Sequence, residues 1–81
     1  MLTLKNVIES AIEMGMETFE IHHIDYQGHV FEQTKDEVLD FINGYENAPI
    51  AYIQMGTGYF NKDGGKYIYK RPHHCAITFA D

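Results

Sequence analysis

Apolar residues near the start of the chain recur at intervals of three and four positions, which is the period of one helix face. They are Leu4, Val7, Ile8, Ala11 and Ile12. Thr3 precedes them and can accept a hydrogen bond from a free amide of the first turn, and Gly15 follows them and can take the positive φ that ends many helices. The pattern predicts a helix over about residues 4–14.

The period becomes two between residues 17 and 25, which indicates a strand with one buried face. Phe19 and Ile21 occupy that face, and the polar residues between them occupy the other. Turn-forming residues at 25–28 are followed by a short run at 29–33 that can be the hairpin partner of this strand. The start of the chain is therefore predicted to be a helix and a β-hairpin.

Thr34 and Glu37 have the spacing of a capping box, in which the threonine side chain bonds the third helical amide and the glutamate bonds back to the threonine amide. The apolar side of the helix that follows comprises Val38, Leu39, Phe41 and Ile42. Asn43 and Gly44 can end the helix because both tolerate positive φ. We therefore expect a second helix that is capped by Thr34.

The C-terminal half has the pattern of strands. The alternating segments are 50–57, 67–71 and 75–79. Pro49 marks the entry to the first of them, and residues 61–66 have the composition of a hairpin loop. Pro72 cannot donate a backbone hydrogen bond, so it must break or bulge whatever joins the last two segments.

These elements predict a single α+β domain over residues 1–81, in the order α-β-β-α followed by two or three strands. We expect both helices to pack on one face of a small antiparallel sheet of four to five strands. The predicted core comprises Ile8, Ile12, Phe19, Ile21, Phe41, Ile42, Ile53, Ile77 and Phe79.

Charge is distributed unevenly along the chain. Residues 1–61 carry ten acidic and two basic side chains, a net of −8, whereas the last twenty residues carry four basic and two acidic ones, and the whole chain has a net charge of −6. Such a field repels nucleic acid and membrane surfaces and attracts basic proteins. A lone cysteine excludes an internal disulfide, and no apolar stretch approaches the about 20 residues of a spanning helix, so we expect a cytoplasmic protein that does not bind membranes.

Two pairs of acidic residues stand one helical turn apart. Glu9 and Glu13 form one pair, and Asp36 and Asp40 form the other, with Glu37 beside it. Each like-charge pair costs a few tenths of a kcal/mol, so the pattern favours a surface that is kept for binding. Carboxylates at this spacing, about 5–6 Å between Cβ atoms, could occupy a basic groove built for phosphates. The alternative is an acidic surface that only keeps the protein soluble.

Tyrosines and basic residues are interleaved in the C-terminal half. Tyr52, Tyr59, Tyr67 and Tyr69 lie among Lys62, Lys66, Lys70 and Arg71. This interleaving can anchor a protein interface or stack single-stranded bases, and the net charge of −6 disfavours direct nucleic-acid binding. Tyr52, Tyr67 and Tyr69 are therefore a second candidate protein interface. Cross-strand packing of tyrosines is the alternative.

Histidine and cysteine are present without the spacing of a metal site. They cluster as His22-His23, His29 and His73-His74-Cys75. Adjacent residues of a strand point to opposite faces, so each pair offers one ligand to a given metal, and Cys75 with His74 cannot form a nucleophile and base. We expect Cys75 in the core, His23 partly buried and the other histidines solvated. We also expect no metal, no cofactor and no enzymatic activity.

The small size, acidic charge and α+β pattern resemble the small inhibitors made by bacterial viruses, including anti-CRISPR proteins and DNA-mimicking nuclease inhibitors. The resemblance spans the whole chain and is one of composition. It implies an inhibitor that occupies a basic surface of a nucleic-acid-handling host enzyme, such as a CRISPR effector, in the host cytoplasm. The residues that it implies for this contact are Glu9, Glu13, Asp36, Glu37 and Asp40.

Two other functions fit the same composition. Immunity proteins and antitoxins that neutralise basic nucleases are similar in kind. A generic interaction domain or an oligomeric accessory domain, including a homodimer, explains every feature except the repeated pairs of like charge.

Overall fold

A computed structural model describes residues 2–61 and 64–80, without the side chains of 26–31, 57–61 and 66–70. The chain forms two helices and a four-stranded sheet. In chain order the elements are α1 (Leu4–Glu13), β1 (Thr18–His23), β2 (Tyr26–Thr34), α2 (Val38–Phe41), β3 (Ile50–Asn61) and β4 (Lys66–Phe79). The fold class is therefore α+β, and neither helix of the described residues is long and apolar enough to cross a membrane.

The sheet has the strand order β2-β1-β4-β3 and is mixed. β1 pairs with β2 and β3 pairs with β4 in the antiparallel direction, but β1 and β4 run parallel. The expectation of an antiparallel sheet is wrong for this central pair, because a hydrophobic pattern does not encode the direction in which distant strands meet. The described residues form four strands without a fifth, since β4 is continuous over fourteen residues.

α1 forms where the sequence predicts it. The Thr3 side chain accepts a hydrogen bond from the Asn6 amide at 3.3 Å. At the other end Gly15 has a φ of 98°, and its amide bonds the Ile12 carbonyl at 3.0 Å. The next amide in the chain bonds the Ala11 carbonyl at 3.0 Å. These two bonds form a Schellman motif, which satisfies carbonyls that the helix end would otherwise leave unpaired.

α2 is shorter than predicted, and the expected capping box does not form. Thr34 is instead the last residue of β2, where it pairs with Thr18. The helix begins after Glu37, whose side chain makes no capping hydrogen bond. A single helical turn buries Val38 and leaves Phe41 41% exposed. The prediction of Phe41 as a core residue is therefore wrong.

The core cluster draws its residues from α1, from α2 and the residue after it, and from one face of β1 and β4. Phe19 pairs with Cys75 and Ile21 pairs with Ile77 in the parallel register, so these side chains share a face. The core cluster comprises Leu4, Val7, Ile8, Ala11, Phe19, Ile21, Val38, Ile42, Cys75, Ile77 and Phe79. Of the predicted core residues, Ile12 and Ile53 are only partly buried.

The turn of the first β-hairpin lies earlier in the chain than predicted. The turn between β1 and β2 is the dipeptide Ile24-Asp25, since His23 pairs directly with Tyr26. The predicted turn at 25–28 is therefore displaced toward the N-terminus. Asn61 and Lys66, the first and last residues of the predicted β3–β4 loop, pair with each other, and residues 62 and 63 lie outside the described residues.

Pro72 lies in a bulge of β4. Met55 pairs with Cys75 and Thr57 pairs with Arg71, so two steps along β3 match four steps along β4. Gly56, with a φ of 75°, lies opposite the extra residues. The bulge accommodates the missing amide hydrogen of Pro72 without ending the strand.

Candidate functional site

All five acidic residues predicted to bind a partner are exposed. Glu9 and Glu13 lie on α1, and Asp40 lies on α2. Asp36 and Glu37 lie in the turn before α2, so Asp36 and Asp40 are not a helical pair as predicted. α1 and α2 contact each other. We call these five residues the acidic helical surface.

Among the described residues, some carboxylates pair with a basic side chain and others do not. Within the described residues, no ion pair involves any member of the acidic helical surface. Glu20 and Glu32, in contrast, contact basic side chains of the sheet. The charge of the acidic helical surface is therefore not neutralised by the described part of the molecule.

Exposed apolar side chains lie among the acidic residues around α2. Leu39 and Phe41 are exposed on the helix, and Tyr45 is exposed just after it. Tyr45 also contacts the Phe79 ring, with 5.7 Å between ring centroids, which anchors the segment to the core. Aromatic residues beside charged ones are typical of protein interfaces.

The predicted tyrosine interface is described only in part. Tyr52 is 63% exposed on β3, where it pairs with Thr78. The side chains of Tyr67 and Tyr69 lie outside the described residues.

A polar cluster that the sequence analysis missed lies on the sheet face opposite the core. It comprises Thr18, Glu20, Glu32, Arg71 and His74. His74 is only 1% exposed, with its Nδ1 atom 2.7 Å from Thr18 Oγ1 and its Nε2 atom 2.7 Å from Glu20 Oε1. A ring protonated at Nε2 alone satisfies both contacts, by donating to the carboxylate and accepting from the hydroxyl.

The expectation that His74 is solvated is wrong, and the parallel pairing of β1 and β4 is the reason. This register places Thr18 directly beside His74 and Glu20 two residues further along the same face. His23 is half-buried as expected. Its ring packs edge-to-face with the ring of Phe79, with 5.1 Å between the ring centroids. The alternation of His74 with Ala76 and Thr78 was visible in the sequence, but their partners were not.

Arg71 completes the cluster by binding the second carboxylate. Its guanidinium donates from Nη1 to Glu32 Oε2 at 3.1 Å and from Nη2 to Glu32 Oε1, and Nη2 also donates to Thr18 Oγ1 at 3.4 Å. The hydrogen bond from Arg71 lowers the pKa of Glu32, and the same bond raises the pKa of Arg71. Glu20 and Glu32 are direct cross-strand neighbours. Two carboxylates in such positions repel each other, and the hydrogen bond from His74 to Glu20 and the ion pair of Arg71 with Glu32 each stabilise one of them.

The order of carboxylate, imidazole and hydroxyl in this cluster resembles that of an activated nucleophile. A shallow depression of about 180 Å³ adjoins it, lined by Glu17, Thr18, Arg71, Pro72, His73 and His74. However, the Thr18 oxygen already accepts a hydrogen bond from Arg71, and the ring of His74 is closed to solvent. The geometry therefore supports a clamp that joins β1, β2 and β4 beside the Pro72 bulge.

Cys75 is a buried core residue, as expected. Desolvation raises the pKa of its thiol to about 11. Within the described residues, no group of three or more histidine, cysteine, aspartate or glutamate side chains is arranged to hold a metal ion.

No family model, curated protein or solved structure matches this chain. The function of this chain is therefore inferred from the geometry and charge of the molecule itself.

Proposed function

We propose that this protein binds a basic surface of another protein through the acidic helical surface, and that it inhibits a nucleic-acid-handling enzyme by occupying that surface. The observation that carries the proposal is the division of the acidic residues. Glu20 and Glu32 are bound by His74 and Arg71, whereas the five residues of the acidic helical surface are exposed and unpaired among the described residues.

Unpaired carboxylates are costly for the fold and useful for association. Like charges one turn apart, such as Glu9 and Glu13, destabilise a helix slightly, and no basic side chain in the described part of the chain forms an ion pair with them. The same charges accelerate the encounter with a basic partner and suppress encounters with acidic ones. A surface that binds phosphates provides the basic groups that this arrangement needs.

The exposed apolar residues favour a protein as the partner. Leu39, Phe41 and Tyr45 are exposed beside the acidic residues of α2. Apolar side chains in the middle of a contact supply most of the binding energy, while the charged rim sets specificity and the association rate. A nuclease or a nucleic-acid-guided effector offers both kinds of surface, and so does a toxin nuclease bound by an immunity protein.

Charge reversal tests the proposal. A variant with Glu9→Lys, Glu13→Lys and Asp40→Lys should fold, because all three side chains are exposed. It should not bind the target, because the electrostatic attraction is inverted. The matched control replaces Glu17 and Asp25 by Lys, since these acidic residues are also exposed but lie outside the acidic helical surface.

The assay is affinity capture from a lysate of the source organism with each tagged protein, at low and high salt. The original and the control should recover a basic nucleic-acid-binding protein that is lost as salt rises and that added DNA displaces. The purified target should then show inhibited nucleic-acid binding or cleavage. If the reversed variant inhibits that target as well as the original does, the acidic helical surface is not the interface.

A further inference from the structure

β3 lies at an edge of the sheet and is twelve residues long. Among the described residues its backbone pairs with β4 alone, and an isolated bridge joins Thr3 to Pro49 just before the strand begins. An edge strand of this kind presents free amide and carbonyl groups to any extended chain that approaches it. Exposed side chains on this strand include Tyr52, Gln54 and Met55.

The two edges of the sheet differ in their protection. Proteins usually shield an edge from pairing with charged residues. β2 at one edge carries Glu32, which Arg71 binds, and the charged Lys35 follows it. β3 at the other edge lies within the uncharged run 47–61, in a chain of which 22% of residues are charged. The β3 edge is therefore the one long segment of the chain on which no charge opposes association.

We propose that the β3 edge pairs with the β3 edge of a second copy of this chain. The two four-stranded sheets then form one continuous sheet, in which the two β3 strands are antiparallel neighbours. A strand can always pair with itself in the antiparallel direction about a two-fold axis. Two copies that each carry a net charge of −6 repel through their acidic surfaces, and an uncharged edge minimises that repulsion.

The position of α2 fits this arrangement. α2 contacts β2, which is the edge opposite β3. Pairing at β3 therefore keeps the acidic residues of α2 in the two copies apart. The proposal does not depend on the identity of any target.

The regular part of β3 defines where the two copies meet. Register shifts lie between Ile50 and Tyr52 and again after Met55, so the undistorted run is 52–55. A contact centred on this run is small, so we expect a reversible dimer with a dissociation constant in the micromolar range. Gln54 lies in the run and is exposed. A lysine there in both copies stands close to the two-fold axis, where the two charges repel each other.

Sedimentation velocity over a concentration series of about 1 μM to 1 mM tests the proposal. The original protein should change from a species of 9.4 kDa to one of twice that mass. The Gln54→Lys variant should raise the dissociation constant at least about tenfold. Thr34→Lys is the matched control. Thr34 is exposed at the end of the opposite edge strand, and the substitution adds the same charge as Gln54→Lys. This control should dimerise like the original.

Circular dichroism at low concentration checks that both variants fold. A monomer at every concentration overturns the proposal, and so does a dimer that Gln54→Lys leaves unchanged. If the two lysine substitutions raise the dissociation constant of the dimer equally, the proposal is also overturned, because a general effect of charge would then explain the result. A target-binding assay on the Gln54→Lys monomer separates the two proposals, since the acidic helical surface is intact in that variant.

Discussion

Truncation of Phe19 to Ala should destabilise the protein far more than truncation of Phe41. Phe19 is completely buried on β1 and contributes to the core cluster. A phenylalanine side chain buries about 150–250 Å², which at about 25 cal/mol per Å² corresponds to about 4–6 kcal/mol as an upper estimate. Measured costs of such truncations are about 3–5 kcal/mol, because a cavity remains that the surroundings fill only in part.

This cost is a large share of the total stability. An 81-residue domain at about 0.05–0.15 kcal/mol per residue has an unfolding free energy of about 4–12 kcal/mol. Phe41 is the matched comparison, since the substitution is chemically identical but the side chain is 41% exposed. Water fills the space that this truncation leaves, so no cavity term is added, and we expect a loss below about 2 kcal/mol.

Urea unfolding followed by far-ultraviolet circular dichroism measures both losses, and the chain contains no tryptophan that could serve as a fluorescent probe. The slope of the free energy against urea should be the same for the original and both variants, so that the midpoints report stability alone. If Phe41→Ala lowers the free energy of unfolding as much as Phe19→Ala does, then Phe41 belongs to the core, and its exposure on a one-turn α2 is contradicted. If Phe19→Ala costs less than about 1 kcal/mol, the placement of β1 at the centre of the core is wrong.

Two further predictions concern titratable groups. The thiol of Cys75, whose pKa burial raises to about 11, should not react with a disulfide reagent at about pH 8 until the protein is unfolded, and rapid labelling of the folded protein would contradict its burial. The pKa of Glu32 is lowered by its hydrogen bond from Arg71, so the pair should stabilise the fold above the unfolded pKa of the carboxyl, and this stabilisation should be lost as the pH falls through the folded pKa. Glu32→Gln should remove that part of the acid dependence with little effect at neutral pH, because the pair is half-exposed and screened, and an unchanged acid profile would contradict the pairing.

Local signals in the sequence were sufficient for α1. Thr3 caps the helix, Gly15 ends it, and Leu4, Val7, Ile8 and Ala11 between them are buried. These interactions join residues a few positions apart, so the sequence states both partners of each contact. The strand pattern around Phe19 was predictable for the same reason.

Local signals gave the wrong start for α2, because Thr34 can either cap a helix or pair in a strand. Thr34 fits a capping box with Glu37, but its place at the end of β2 puts it beside Thr18 in the sheet. Helix propensity is a weak preference that a strand pairing can override. The helix consequently starts later, which turns Phe41 toward solvent.

The sequence by itself determined α1, the strand around Phe19 and the uneven distribution of charge along the chain, because these properties depend on period, composition and nearby partners. Only the tertiary structure decided that β1 runs parallel to β4, and this pairing brings Thr18 and Glu20 to His74 across more than fifty positions of the chain. A buried histidine is stable only with partners for both ring nitrogens. No local pattern records which distant residues will supply them, since that depends on the register in which two strands meet.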